Sequence, residues 1–493
     1  MTAPVPALAD SARACAERLR AADSVLLASH IDADGLTSAA VAATALARAG
    51  VPFEVTFEKQ LDAAALDGIA ATDHDTVLFT DFGSGQLDLI AEHEAAGAFT
   101  PVVADHHQPA DATTEYHLNP LLAGIDGASE LSGAGAAYVL ARALAEGEDG
   151  RADPDGTSGA VAAAGGDDRR ADNRDLAALA VVGAVGDMQD GDDGLTGANE
   201  AIVAEGVEAG VVETDRDLSL YGRQTRPLPK LLEYASEARI PGITGNEAGT
   251  VEFLADLDVD LRGADGDWRR WVDLTADERR TVVSALVRRA VASGVPAERV
   301  DRLVGTTYTL VAEEPGTELR DVSEFSTLLN ATARYDRADV GLAVCLGDRG
   351  GALDRARELL GDHRRNLSEG LDLVTNEGVE RTEHLQWFDA GTRIRETIVG
   401  IVAGMALGAD GVDRDRPIVA FAAKGEDDLK VSARGSGPLV GRGLDLSAVM
   451  RGAAREVGGD GGGHDVAAGA TIPASARDEF LAAADALVAE QLA

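Results

Sequence analysis

Four short apolar runs constrain this chain more than anything else in its sequence. Ser24–Ser29 (SVLLAS), Phe53–Phe57, Thr76–Thr80 (TVLFT) and Pro101–Ala104 (PVVA) are strand-like. The stretches between them, Gly35–Ala49, Leu61–Ala71 and Leu87–Ala96, carry helical patterning. Buried strands alternating with helices predict an α/β fold built on a parallel, doubly wound sheet. Two more helices are expected at Gly133–Glu146 and Asp175–Val185.

Hard ligands sit where those runs end. His30-Ile31-Asp32-Ala33-Asp34-Gly35 follows the first, Asp81-Phe82-Gly83 follows TVLFT, and Asp105-His106-His107 follows PVVA. A further acid, Asp187, closes the apolar run AVVGAVGD. Ligands of an open parallel sheet bind outside the carboxyl ends of its strands, so side chains from separate strands can meet in one crevice. Taken singly, HxDxD also suits a solvated turn, Asp81 a helix cap, and the histidine pair or Asp187 a surface position. Together they describe a site rich in carboxylate and imidazole and free of thiolate. That donor set favours Mn²⁺ or Mg²⁺ over structural zinc. So many anions in one crevice need more than one cation. Two ions sharing a carboxylate would activate water and offset charge in an in-line phosphoryl displacement.

Charge limits what the substrate can be held by. The chain of 493 residues has 44 Lys+Arg against 85 Asp+Glu, a formal net charge of −41. Only Lys59, Lys230, Lys424 and Lys430 are lysines. Such a balance, with 45% hydrophobic residues, resembles the folded proteins of a salt-in halophile rather than a disordered chain. It excludes a nucleic-acid binder that relies on a basic face. It does not exclude a nuclease, because in molar salt the Debye length is about 3 Å and the summed field is screened. Two cysteines, Cys15 and Cys345, cannot build a disulfide framework or a thiolate zinc site. The N-terminus lacks a signal-peptide layout, and the longest apolar stretches, Leu176–Gly186 and Ile398–Ala409, fall short of the ~18 residues of a membrane span. A cytoplasmic protein without membrane association is expected.

The length suits roughly two to four domains. Residues 147–173, rich in Gly, Asp and Ser without periodicity, are expected to be a disordered acidic insertion in a first domain, 1–225. A connector, 226–345, holds Pro227, Pro229 and Pro241, helices at Thr275–Ser293 and Arg320–Ala333, and a strand at Asp339–Cys345. A smaller α/β domain, 346–493, is expected to contain helices Leu353–Glu369 and Ile394–Leu407, strands Pro417–Ala423 and Lys430–Arg434, and a Gly-rich turn at Gly458–Gly463. Successive N–H groups of Gly461-Gly462-Gly463-His464 could cradle a phosphate without a basic side chain. Lys424, Lys430 and Arg434 gather scarce positive charge nearby. Trp387-Phe388 could stack on bases, though an aromatic pair of this kind more often packs a core. With three Trp, six Tyr and ten Phe in the chain, an extended stacking groove is not expected.

SHIDADGLTSAA, FTDFG, ADHHQP and VVGAVGDMQD resemble the four motifs of the DHH phosphoesterase superfamily. KVSARGSG and GGDGGGHDVAAGA resemble its DHHA1 domain, and the order of all pieces, with RDVSEFSTLLNATARYDRADVGLAVCLGD, is similar to archaeal RecJ-like proteins. The resemblance implies a DHH domain, a connector and a DHHA1 domain with the active cleft between the first and last. It implies His30, Asp32 and a bridging Asp81 on one metal, and Asp34, His106 and Asp187 completing the second. Asp105 would orient the histidines, and His107 would meet substrate phosphate or help activate water. Arg434, Gly462, Gly463 and His464 would grip the substrate. His30 departs from a spacing found in some branches, which makes its ligation the weakest of the set. The implied activity is an Mn²⁺- or Mg²⁺-dependent exonuclease on single-stranded DNA or RNA. The alternatives are a phosphodiesterase of small substrates (oligoribonucleotides, phosphoadenosine phosphate, cyclic dinucleotides) and a replisome component bound to the GINS complex.

Overall fold

The computed structural model describes residues 3–146, 171–191, 193–235, 239–409 and 411–492. It divides into two compact units, Met1–Ala356 and Arg357–Ala493.

In the first unit the apolar runs form β1 (Val25–His30), β2 (Phe53–Glu58), β3 (Thr76–Thr80) and β4 (Thr100–Ala104), with a short β5 (His117–Leu118) that the sequence reading did not anticipate. All pair in parallel, in the order β2-β1-β3-β4-β5. Strand order reverses between β1 and β3, which makes their carboxyl ends the topological switch point of the sheet. The period of two divides the strand residues between two cores. Val25, Leu27, Leu78 and Val102 face helices α1 (Ala9–Arg20) and α2 (Ala33–Arg48), while Leu26, Ala28, Val77, Phe79 and Val103 face α3 (Ala63–Ala70) and α4 (Leu87–Ala95). Helices on both faces bear out the doubly wound α/β expectation.

Three further helices extend the layer formed by α1 and α2. α5 (Gly133–Ala145), α6 (Ala177–Gly186) and α2 pack against one another, and α7 (Gly197–Glu208) packs on α6. Their contacts run through Gly and Ala. A Cβ on Gly183 of α6 would stand 2.4 Å from Ala134 Cβ and 2.5 Å from both Asp34 Oδ1 and Thr37 Oγ1. Residues 147–170 lie outside the described residues. The last three residues of the expected insertion do not behave as disordered: Asp172 and Asn173 are buried, and Asn173 Oδ1 accepts from Arg48 at 2.8 Å.

A ribbon of β6 (Val212–Leu218) and β7 (Val304–Leu310) flanks a separate core around Trp271. It is followed by α8 (Val322–Arg334), as the amphipathic pattern predicts, and α9 (Ala338–Cys345). The strand expected at Asp339–Cys345 is therefore a helix. Short apolar runs do not distinguish the two, and here Gly341 lies against Leu36, so α9 packs on α2 as one more helix.

The second unit is a mixed sheet of six strands, β8 (Glu380–Arg381), β9 (Gln386–Asp389), β10 (Ile418–Lys424), β11 (Asp428–Arg434), β12 (Asp460–Gly463) and β13 (Ala467–Pro473), in the order β12-β13-β11-β10-β9-β8. Its faces carry α10 (Val399–Ala406), α11 (Leu446–Glu456) and α12 (Arg477–Leu492). The expected Gly-rich turn is the edge strand β12. Among the described residues no helix is long and apolar enough to cross a membrane.

Gly183→Ala should cost about 1–3 kcal/mol through overpacking, read as a lower urea midpoint at unchanged slope. An unchanged midpoint would show that the three-helix junction has slack.

Candidate metal centre

The switch point brings together eight acids and imidazoles of the first-unit motifs. Among the described residues, three groups of ligand atoms lie within 4.8 Å of one another: His30, Asp32 and Asp81; Asp34, His106 and Asp187; and Asp81, Asp105, His106 and His107. Asp81 joins two groups through different oxygens. Oδ2 lies 3.5 Å from His30 Nδ1, and Oδ1 lies 3.3 Å from His106 Nε2. His106 Nε2 is also 3.9 Å from Asp34 Oδ2 and 3.8 Å from Asp187 Oδ2. His30 Nδ1 is 3.0 Å from Asp32 Oδ2, so despite its spacing it stands with the aspartates.

Each side chain is aimed by local backbone chemistry. Asp32 caps α2 through Oδ1, which accepts from Gly35 N, leaving Oδ2 for the site. Asp81 is not a cap. Its backbone turns left-handed at φ 59° and its N–H bonds Ala104 O, which directs the carboxylate inward. That conformation costs a non-glycine residue of order 1 kcal/mol. Asp34 accepts from Gly133 N at 2.7 Å and Ala134 N at 2.9 Å, the positive end of α5. Gly133 must lack a side chain, since a Cβ there would fall 2.5 Å from Asp81 Oδ1. Asp187 follows the last residue of α6. Asp105 is fully buried and accepts from Ser84 N, His106 N and His107 Nδ1 at 2.9, 2.7 and 2.8 Å.

The residues fit divalent cations. The donors are carboxylate and imidazole throughout, and two of their atoms, Asp81 Oδ2 and His106 Nε2, are buried without a hydrogen-bond partner. Desolvation of this kind is costly unless something coordinates those atoms. Without a cation, protons must supply the positive charge. Burial alone would lower the pKa of His30, but Asp32 and Asp81 outweigh it and raise it to about 11. Burial likewise opposes a charged His106, and Asp81, Asp34 and Asp187 raise it to about 11. Burial pushes Asp34 well above the usual carboxylate range, helped by Asp81 and Asp187. Burial alone would raise Asp81, but the positive charge of His106 and His30 close beside it outweighs burial and pulls it low.

Several residues that serve this site escaped the sequence reading. Asn119 Nδ2 donates to Ser84 Oγ at 2.8 Å and to His107 O at 2.9 Å, bracing the loop that carries Asp105 and His107. Asn330 Oδ1 accepts from Ala33 N at 3.2 Å, and Arg334 lies within electrostatic reach of Asp32, so α8 closes over the first motif. Gln189 donates to Asp187 Oδ2 at 2.8 Å. These are neutral side chains or distant cations, and nothing in their spacing marks them. Only Gln189, two residues past Asp187, had a positional clue.

The C-terminal candidates all lie in the second unit. Arg434 ends β11 beside α10, and a Cβ on Gly400 would come 2.7 Å from its guanidinium. Lys430 shares its strand face with Arg434, and Lys424 Nζ donates to Thr471 Oγ1 at 3.2 Å. Successive N–H groups of Gly461–His464 do not form a nest. His464 N donates to Ala467 O in the β12–β13 ladder, and antiparallel alternation turns Gly462 N the same way. Gly461 and Gly463 face the open edge instead. Phe388 is buried, and Trp387 is half-buried, meeting Phe421 edge-on at 5.9 Å with the Arg477 guanidinium 5.4 Å from its ring, so the two rings pack against the core and do not form a paired stacking platform.

Three family models match the chain: the DHH family N-terminal domain over 24–164, the DHH-CID domain over 220–304 and the DHHA1 domain over 387–490. An uncharacterized protein of Methanocaldococcus jannaschii is 28% identical over 94% of this chain and 93% of its own. RecJ from Thermus thermophilus, crystallised with Mn²⁺, superposes with a TM-score of 0.59 at 18% identity. That match covers 99% of this chain and spans 56% of the length of RecJ. An exonuclease RecJ bound to manganese gives the same score and identity with 96% of its chain covered. CDC45 from Entamoeba histolytica superposes with a TM-score of 0.62 at 10% identity over 98% of this chain and 99% of its own. At these identities the structures establish a shared fold.

The histidines carry a pH consequence. Their folded-state pKa is raised above the ordinary 6.5, so the stability they contribute is present below pH 6.5 and lost as pH climbs toward about 11. The chelator-treated protein should therefore lose thermal stability steadily from pH 6.5 to 9. Saturating Mn²⁺, which needs both rings neutral, should flatten that slope. Parallel slopes with and without Mn²⁺ would exclude His30 and His106 as ligands.

Proposed function

From the premise that this chain belongs to the DHH family and carries DHH-CID and DHHA1 domains, we propose that it is a two-metal phosphodiesterase that shortens single-stranded nucleic acid from an end. The observation that carries the reading is Asp81, whose two oxygens address His30 and His106 separately. His30, Asp32 and Asp81 would hold one ion, and Asp34, Asp81, His106 and Asp187 the other, both Mn²⁺ or Mg²⁺. When bound, such a pair lowers the pKa of water and offsets charge on the phosphoryl oxygens.

The remaining roles belong to protein groups. His107 meets Asp105 through Nδ1, so Nε2 is the nitrogen available to a phosphate oxygen or a transferred proton. The hydrogen bond that His107 Nδ1 donates to Asp105 raises the His107 pKa and keeps the ring oriented. In the DHHA1 domain, Arg434, the His464 side chain and the glycine-rich edge around Gly462 and Gly463 would take the substrate phosphate. The open-edge N–H groups there belong to Gly461 and Gly463. A few placed cations and backbone donors suit a chain whose net charge is −41, because they do not depend on a basic face.

The fold shared with CDC45 favours a second reading, a replisome component of the kind that binds GINS. Retention of all eight motif acids and imidazoles argues that activity is present whether or not such a partner is bound. The small-substrate alternative is separated by assay. In high KCl with Mn²⁺, 5′- and 3′-labelled 30-mers of DNA and RNA should be shortened stepwise. Hydrolysis of a dinucleotide with the 30-mers intact would establish the small-substrate activity instead. Asp187→Ala should abolish turnover, and His107→Ala should lower kcat by about 10²–10⁴. Gly400→Ala, which displaces Arg434, should raise KM with kcat little changed. An equal fall in kcat would place Arg434 with the chemistry instead of with binding.

A further inference from the structure

We propose that Gln189, together with Asn199, is a positioning residue for one of the two ion positions, the one formed by Asp34, His106 and Asp187, and not for the other. This rests on the two-ion reading above. Gln189 is 4% exposed and Asn199 2%. Asn199 Oδ1 faces Ser132 N at 3.4 Å, which makes its Nδ2 the donor toward Gln189 Oε1 at 2.6 Å. That contact fixes the Gln189 amide in turn, so Nε2 donates to Asp187 Oδ2 at 2.8 Å and to Gly127 O at 2.9 Å. The polarity of the network thus runs one way, from a backbone N–H to the carboxylate.

Gly127 O is shared. It also lies 2.6 Å from His106 Nδ1. A carbonyl can only accept, so Nδ1 carries a proton and Nε2 is left to bind a cation. The third member of the trio hangs on the same network. Ser132, whose N–H faces Asn199, caps α5 by accepting from Gly135 N, and the next two N–H groups of α5 hold both oxygens of Asp34. One pair of buried amides therefore connects to Asp187 directly, to His106 through a common acceptor, and to Asp34 through the start of α5.

Among the described residues, neither His30 nor Asp32 of the other trio has a hydrogen bond to these amides, and Asp81 meets them only by way of His106. Asp32 is set by its own helix cap, and His30 by Asp32 and Asp81. Backbone geometry points the same way. Met188, between Asp187 and Gln189, takes a left-handed φ of 58° and is 87% exposed. The turn throws the apolar side chain outward so that the residues on either side both face the site. A glutamate at 189 would lose the donors and set another carboxylate against Asp187. An apolar residue would leave Asp187 Oδ2 and Asn199 Nδ2 without the Gln189 amide and Gly127 O with His106 alone.

The test is Mn²⁺ binding to the full-length protein, followed by calorimetry and by the electron paramagnetic resonance of free Mn²⁺. The wild-type chain should take up two ions. In Gln189→Met, of similar length and shape, one binding step should weaken by about 10- to 100-fold and the other should keep its affinity. Asn199→Ala should weaken that same step while Gln189 is intact. Equal weakening of both steps, or no change in either, overturns the proposal. Should Gln189→Met not fold, the Asn199→Ala titration decides on the same criterion. Uptake of fewer than two ions by the wild-type chain would overturn the two-ion reading and this inference with it. Two ions in the wild type with unaltered variants would overturn the inference alone.

Discussion

The crowding of negative charge at one sheet edge governs the rest of this structure. Asp34 and Asp81 are each 2% exposed and Asp187 stands beside them. Unit charges of like sign about 4 Å apart repel by about 4 kcal/mol at the effective dielectric of a protein. Nothing apolar could relieve that. The chain answers with fixed partial charges, the N–H groups of α5 on Asp34, and with two imidazoles set between the acids. The donor atoms left over could hold cations, and Asp81 faces a different group of them with each oxygen.

The same crowding explains why the surrounding helices are so lean. To reach Asp34 with its backbone, α5 must approach as closely as glycine permits, and α6 must do the same at Gly183. The Ala-rich character of α2 and α5 follows from this close approach. Acidity on the outer surface is a different matter. Exposed carboxylates are screened by salt, whereas the buried set is not. Only the inner charge therefore bears on what the crevice can hold.

Much of this was legible in the sequence because it depends on period and position. Short strands that end in His30 or are followed at once by Asp81 or Asp105 set both the sheet and the edge where the ligands meet. Asp81 and Asp105 were findable since each directly follows its strand. Legibility failed where the deciding factor was tertiary. DVGLAVC is a helix because Leu36 of α2 lies beside Gly341. The glycines at 461–463 extend because β13 offers them a ladder. Gln189, Asn199, Ser84 and Asn119 matter through hydrogen bonds between residues far apart in sequence, and a neutral amide or hydroxyl leaves no charge pattern to read.

The grip of α5 on Asp34 has a consequence for how the centre is assembled. A ligand already held by a helix end, beside others fixed by a cap and a left-handed turn, does not wait for an ion to be ordered. Zinc fingers fold only when their metal arrives, but this scaffold is shaped beforehand. Cations could then come and go from such a centre as traffic through a standing dock, without the chain around it having to refold.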